Sequence, residues 1–213
     1  MRTKTLLLTA ALVAVGAASS MAQVYSQNAV GYINVTCGAG RYTMIAHQLT
    51  TGADRTIGTL MPTAATGTQF LYLGVGGFST SIYDPDEGGW TNPGLTLDLG
   101  GGAYLFNPSA NSQTFTFVGD VAQGTLDTPI TVNNFLFRSS RVPQAGLLQT
   151  DLQFVPTAGD LIFKLSPSGS PQTFIFDADD GWTPGEPTIG VGEAFMLKAT
   201  LPHATWSRVF SVN

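Results

Sequence analysis

Gly101-Gly102-Ala103-Tyr104-Leu105-Phe106 recurs as Gly192-Glu193-Ala194-Phe195-Met196-Leu197, and Gly89-Trp90-Thr91 recurs as Gly181-Trp182-Thr183. The offsets are 91 and 92 residues, so one insertion or deletion separates the two matches. A period this long exceeds the roughly 20–50 residues of solenoid and propeller repeats, so it describes a domain-sized unit written twice. Outward from these matches the correspondence continues. Gly31 aligns with Gly124, Ile33 with Leu126, Tyr42 with Phe135, Met44 with Phe137, Phe70 with Ile162 and Phe115 with Trp206. The organisation read from this is an export segment at 1–22, a first repeat at 23–122 and a second at 123–213, with a joint at 119–122. A joint so short packs two units closely rather than tethering them flexibly.

Within each copy the hydrophobic pattern is that of strands. Short runs rich in aromatic and β-branched residues are bounded by Gly, Pro, Asn or Asp. The first copy predicts strands at 32–35, 42–49, 68–75, 78–83, 95–99, 103–106 and 114–118; the second at 126–132, 135–142, 160–165, 173–176, 188–191, 194–198 and 205–210. Phe115 and Phe117 alternate with Thr114 and Thr116, the pattern of an antiparallel strand with one buried face. A short helical turn is expected once per copy, at 54–60 and 147–154. The fold class is therefore all-β: two tandem, duplicated antiparallel units, sandwich-like or barrel-like and closely packed. The repeats can form two separate units or complete one larger sandwich.

Arg2 and Lys4, followed by an apolar run ending in Ser20-Met21-Ala22, read as a signal peptide cut near Ala22. That run is shorter than the 20 or so residues of a comfortable membrane span. Without residues 1–22, seven basic residues face fourteen acidic ones, a net charge of −7. Such a balance argues against nucleic acid, which draws clustered Lys and Arg, and no membrane insertion of the mature chain is expected. Cys37 is the single cysteine, so no intrachain disulfide forms; it reads as a small, half-buried filler in a turn.

The stretch Gln23-Val24-Tyr25-Ser26-Gln27-Asn28-Ala29-Val30-Gly31-Tyr32-Ile33-Asn34-Val35 resembles the opening of a family of uncharacterised secreted bacterial all-β proteins. The likeness extends through Met44-Ile45-Ala46, the Gly-Trp-Thr turn and the closing Phe210-Ser211-Val212-Asn213. The Trp turn followed by a Gly-x-Ala-aromatic strand also resembles a β-repeat of bacterial surface proteins, although Tyr104 and Phe195 stand where Trp is frequent. Neither resemblance carries an activity or site residues to this chain.

The chemistry-bearing candidates are few. Asp84, Asp86 and Glu87 precede Trp90, and Asp177, Asp179 and Asp180 precede Trp182. Asp side chains followed by Gly can wrap calcium, yet the same residues build ordinary turns, and the spacing is not that of an EF-hand. Trp90 and Trp182 can stack on sugar rings if exposed, or plug the ends of their own units if buried. A hydrolase would need His47 or His203 beside a Ser and an Asp, and no Gly-x-Ser-x-Gly elbow is present. No cofactor motif is found. The reading is a secreted, non-enzymatic structural or interaction protein of the cell surface or periplasm, its partner an extracellular polysaccharide or a surface protein. The alternatives are a carbohydrate-binding module using the Trp90 and Trp182 loops, and a hydrolase with an unrecognised site.

Overall fold

A computed structural model of the chain describes residues 29–212 except 51, 53 and 133. The export segment at 1–22, its cleavage position and the motif residues 23–28 lie outside the described residues.

The chain is built almost entirely of antiparallel strands. In the first half, β1 (Val30–Cys37) pairs with β7 (Gln113–Asp120) as a two-stranded ribbon. A five-stranded sheet runs in the order β2 (Arg41–Ile45), β6 (Ala103–Asn107), β3 (Gln69–Gly74), β4 (Gly77–Asp84) and β5 (Gly89–Trp90). In the second half, β8 (Gly124–Thr128) pairs with β16 (Trp206–Phe210), and a five-stranded sheet runs β13 (Gly181–Thr183), β12 (Pro171–Asp177), β11 (Leu161–Leu165), β15 (Phe195–Lys198), β9 (Phe135–Arg138). The two halves thus have the same strand order.

Two of the expected elements differ in form. The run at 95–99 is not a strand: it touches its neighbour only through a bridge from Thr96 to Thr56, and its counterpart is the two-residue ladder of β10 (Gly146–Leu147) with β14 (Thr188–Ile189). The first helical segment forms α1 (Ile57–Leu60), with Ile57 buried. The second stays a turn, because the Asp151 and Leu152 N–H groups both donate to the Leu147 carbonyl.

Alternation along the strands makes three cores. Ile33, Val35, Phe115 and Phe117 of the first ribbon pack on Ile45, Phe70, Ala103 and Leu105 of the first sheet, with Ile57, Met61 and Trp90 closing the end. Trp206 packs on Ile162, Phe195 and Leu197 in the second half, joined by Leu148, Leu152 and Phe154. Each side chain of this size, fully buried, stabilises by about 2 kcal/mol. The opposite faces of the two sheets meet in a third cluster, where Met44 and Phe137 are buried against Tyr104, Met196, Leu73 and Leu165.

Strand pairing also corrects the sequence alignment by one residue. Leu105 faces Phe70 and Tyr104 faces Met44, whereas Leu197 faces Ile162 and Met196 faces Phe137. Tyr104 therefore matches Met196, not Phe195, and Gly100 matches Gly192. Both of these glycines are left-handed, at φ +82° and +75°. Because side chains alternate faces, the one-residue slip in the sequence match exchanged inside for outside.

The predicted run 42–49 is longer than β2 because its end leaves the sheet to join the other half. The Ala46 N–H donates to the Gly192 carbonyl at 2.8 Å, and at the equivalent place the Ser139 N–H donates to the Gly100 carbonyl at 3.0 Å. Between these bonds lies Gly102, where an added Cβ would stand 2.3 Å from the Ala194 Cβ and 3.1 Å from the Ile45 carbonyl oxygen. His47 follows directly. It is fully buried, its ring edge-on to Phe117 with 5.3 Å between centroids, and neither ring nitrogen has a partner.

Two predictions follow from this seam. Gly102→Ala should cost about 1–3 kcal/mol in denaturant unfolding, while Gly76→Ala, with nothing within 4 Å of the new Cβ, should cost far less; equal costs would show that the halves do not meet closely at Gly102. Burial, and then the nearby Arg55 charge, pull the His47 imidazole from 6.5 down to about 4. Between those two pH values the unfolded chain binds the extra proton, so His47 makes stability fall as pH drops through the window, by up to about 3 kcal/mol. Melting curves of the protein and of His47→Leu should diverge below pH 6.5; parallel curves would mean that the ring is not held neutral.

Candidate functional site

The two Trp loops turn out to be anchored by their own units. Trp90 is 7% exposed, its Nε1 donates to the Met61 carbonyl at 2.7 Å, and its ring lies edge-on to Tyr83. It presents no face to a sugar, which corrects its reading as a binding residue. Trp182 is half-buried, packs against the second core and Phe176, and donates to Gln149 Oε1 at 3.0 Å.

The acidic loops beside them are capped turns. Asp84 Oδ1 accepts the Asp86 N–H at 3.0 Å, and the turn Pro85–Glu87 ends at left-handed Gly88. Asp177 Oδ1 accepts the Asp179 N–H at 2.8 Å and the Asp180 N–H at 3.3 Å, ahead of left-handed Gly181. The first carboxylate of each loop is thus engaged with its own backbone, as an Asx turn requires. Among the described residues, no group of three or more His, Cys, Asp or Glu side chains converges as a metal site, so Asp84, Asp86, Glu87, Asp177, Asp179 and Asp180 are not gathered around a common point.

His203 lies far from His47 in chemistry as well as in sequence. Its Nε2 meets Asp160 Oδ2 at 2.9 Å and its Nδ1 meets the Ala204 carbonyl at 2.8 Å. Both side chains are almost wholly buried. A carbonyl and a carboxylate both accept, so each ring nitrogen faces an acceptor. Neither nitrogen faces a hydroxyl or thiol. Cys37 is fully buried rather than half-buried, and burial, partly offset by a hydrogen bond with Thr43, pushes its thiol up to about 11. It is protected from reaction rather than activated.

Several open concavities lie between the halves. One, about 570 Å³, is lined by Tyr42, Leu71, Phe78 and Tyr104 of the first sheet and by Leu165, Ser168 and Pro171 of the β11–β12 hairpin of the second half. These residues sit on the sheet face opposite the first core, so alternation points them outward. Tyr42 and Phe78 are 43% and 51% exposed, and Tyr104 stacks edge-on between Tyr42 and Phe137. Arg41 closes one end, its Nη1 donating to the Pro167 carbonyl at 3.3 Å. On the facing hairpin the hydroxyls of Ser166, Ser168 and Ser170 form a chain with spacings of 2.8 and 3.1 Å. None of these residues was singled out from the sequence. Their signal was present as aromatic residues at alternate positions of β6 and at Tyr42 and Phe78, but only the pairing shows which face stays uncovered.

Two smaller clefts flank the seam at equivalent positions. One, of about 370 Å³, contains Lys164 and Glu193, paired at 3.0 Å. The other, of about 210 Å³, is lined by Gly100, Gly101, Thr128, Arg138 and Arg141. Among the described residues, no helix is long and apolar enough to cross a membrane. Comparison with known proteins adds no family to this geometry: no family model matches the chain, and no curated protein and no solved structure matches it either.

Proposed function

We propose that this chain acts outside the cytoplasm as a non-enzymatic structural or interaction protein, and that the aromatic groove between its halves is the contact surface. The observation that carries this reading is the exposure of Tyr42 and Phe78 in a concavity shared by both halves. Large aromatic side chains left in the open as a contiguous patch mark binding surfaces more often than chance. The basic–apolar start of the sequence and the resemblance of residues 23–35 to secreted bacterial proteins support the location. The engagement of His203 on both nitrogens and the isolation of His47 lend no support to a hydrolase.

A polysaccharide is the partner that best fits the groove. Ring faces from Tyr42, Phe78 and Tyr104 lie across from the serine hydroxyl chain and beside Arg41, which together offer stacking and hydrogen bonding to a sugar. Electrophoresis through gels containing soluble polysaccharides should retard the protein on at least one of them. Tyr42→Ala and Phe78→Ala should each weaken that retardation about tenfold, with the fold kept because both side chains are largely exposed. Mobility unchanged by every polysaccharide would end the glycan reading, and retardation indifferent to both substitutions would remove the groove from it.

A further inference from the structure

The two small clefts beside the seam differ in one respect that calls for a ligand. In the second half the Gly192 N–H, buried, donates to Gln48 Oε1 at 2.8 Å. Beside it Glu193 pairs with Lys164, so that cation meets a carboxylate from the chain itself. The strand pairing makes Gly100, Gly101 and Arg141 the counterparts of Gly192, Glu193 and Gln48. At the first cleft, therefore, the position of the carboxylate is a glycine, and the position of the accepting amide is a guanidinium, which can only donate.

The consequences are visible in the hydrogen bonding. Gly100 is buried, and among the described residues its N–H has no acceptor. Arg141 packs against Gly100, whose added Cβ would meet its Cγ and Nε at 3.1 Å, and that Nε is shielded from solvent without a partner. Arg138 spends its donors on the carbonyls of Pro129 and Phe137. Arg55 lies close enough to repel Arg141, and its own Nε is likewise buried and unpartnered. Among the described residues no carboxylate lies within ion-pair distance of these three guanidiniums. Asp98 sits exposed at the mouth of the cleft with its carboxylate near the Thr96 hydroxyl, and Asp127 accepts from Ser207 while its charge favours Arg141 from beyond ion-pair distance. Unpaired buried donors and clustered cations are costly unless something accepts from them.

We propose that the cleft at Gly100 binds a carboxylate group carried by a ligand, which accepts from the Gly100 N–H and the Arg141 guanidinium where Glu193 and Gln48 serve the other half. A carboxylate matches because its two oxygens can take one donor from backbone and one from a guanidinium fork. The site shares no lining residue with the aromatic groove, so it stands whether or not the groove takes a glycan.

The test is an amide and Arg Nε NMR titration of the labelled protein with sodium acetate and with sodium glucuronate. Glucose and sodium chloride serve as controls for an uncharged sugar and for ionic strength. Saturable shifts of the Gly100 amide and the Arg141 Nε with acetate, absent with glucose and chloride, are expected. Equal affinity for the two acids supports a site for simple carboxylates, and tighter glucuronate binding supports the same site filled by an acidic sugar. Arg141→Gln should supply the amide acceptor that Gln48 supplies opposite, and Gly101→Glu should supply the missing carboxylate. Each should weaken carboxylate binding about tenfold or more. Absence of saturable shifts with both acids, or binding unchanged in both variants, would overturn the proposal.

Discussion

Everything in this molecule hangs on the reciprocal exchange of backbone between its halves. Ala46 reaches across to Gly192, Ser139 reaches back to Gly100, and Gly102 lies against Ala194 between them. A side chain larger than hydrogen at Gly102 would push the seam apart, so the third core of Met44, Phe137, Tyr104 and Met196 depends on that close approach. The seam also places both sheets' second faces together. This is why the aromatic groove lies between the halves.

Each half then closes its own core in the same way, a two-stranded ribbon laid over one face of a five-stranded sheet. The tryptophans serve that closure. Trp90 and Trp206 are buried, with their indole N–H groups satisfied by the carbonyls of Met61 and Leu152. A buried indole needs such an acceptor, and both are found on the segment between the second and third long strands of the half. The acidic turns next to Trp90 and Trp182 bring the chain round to the short strand on which each indole sits.

The halves differ where polar groups are buried. His47 against Phe117 in the first half is replaced by Ser140 against Arg208 in the second, where the Arg208 Nη1 donates to the Ser140 hydroxyl at 3.0 Å and its Nη2 to Gln144. Buried nitrogens without a partner remain on both sides of the seam, at His47 and Arg55 in the first half and at the Nε of Arg141 and of Arg208 in the second. The cleft at Gly100 draws on both halves, with Gly100 from the first and Arg141 from the second.

By itself the sequence determined the all-β class, the positions of the longer strands, the matching of Phe115 with Trp206 and the turn character of the acidic loops. These are local matters, set by alternation, by β-branched and aromatic content and by glycine at left-handed positions. It determined the candidate sites poorly. The sequence left Trp90 open between an exposed and a buried ring because an indole beside an acidic loop reads the same either way, and only packing against Met61 and Tyr83 turned it in. The match of Tyr104 to Phe195 failed by one residue because hydrophobic letters align in either register, while hydrogen bonding admits one. Tertiary structure alone decided the groove at Tyr42 and Phe78 and the unpaired donors at Gly100 and Arg141. Both arise where strands distant in sequence meet across the seam, and no local pattern records which face of a sheet its partner will leave uncovered.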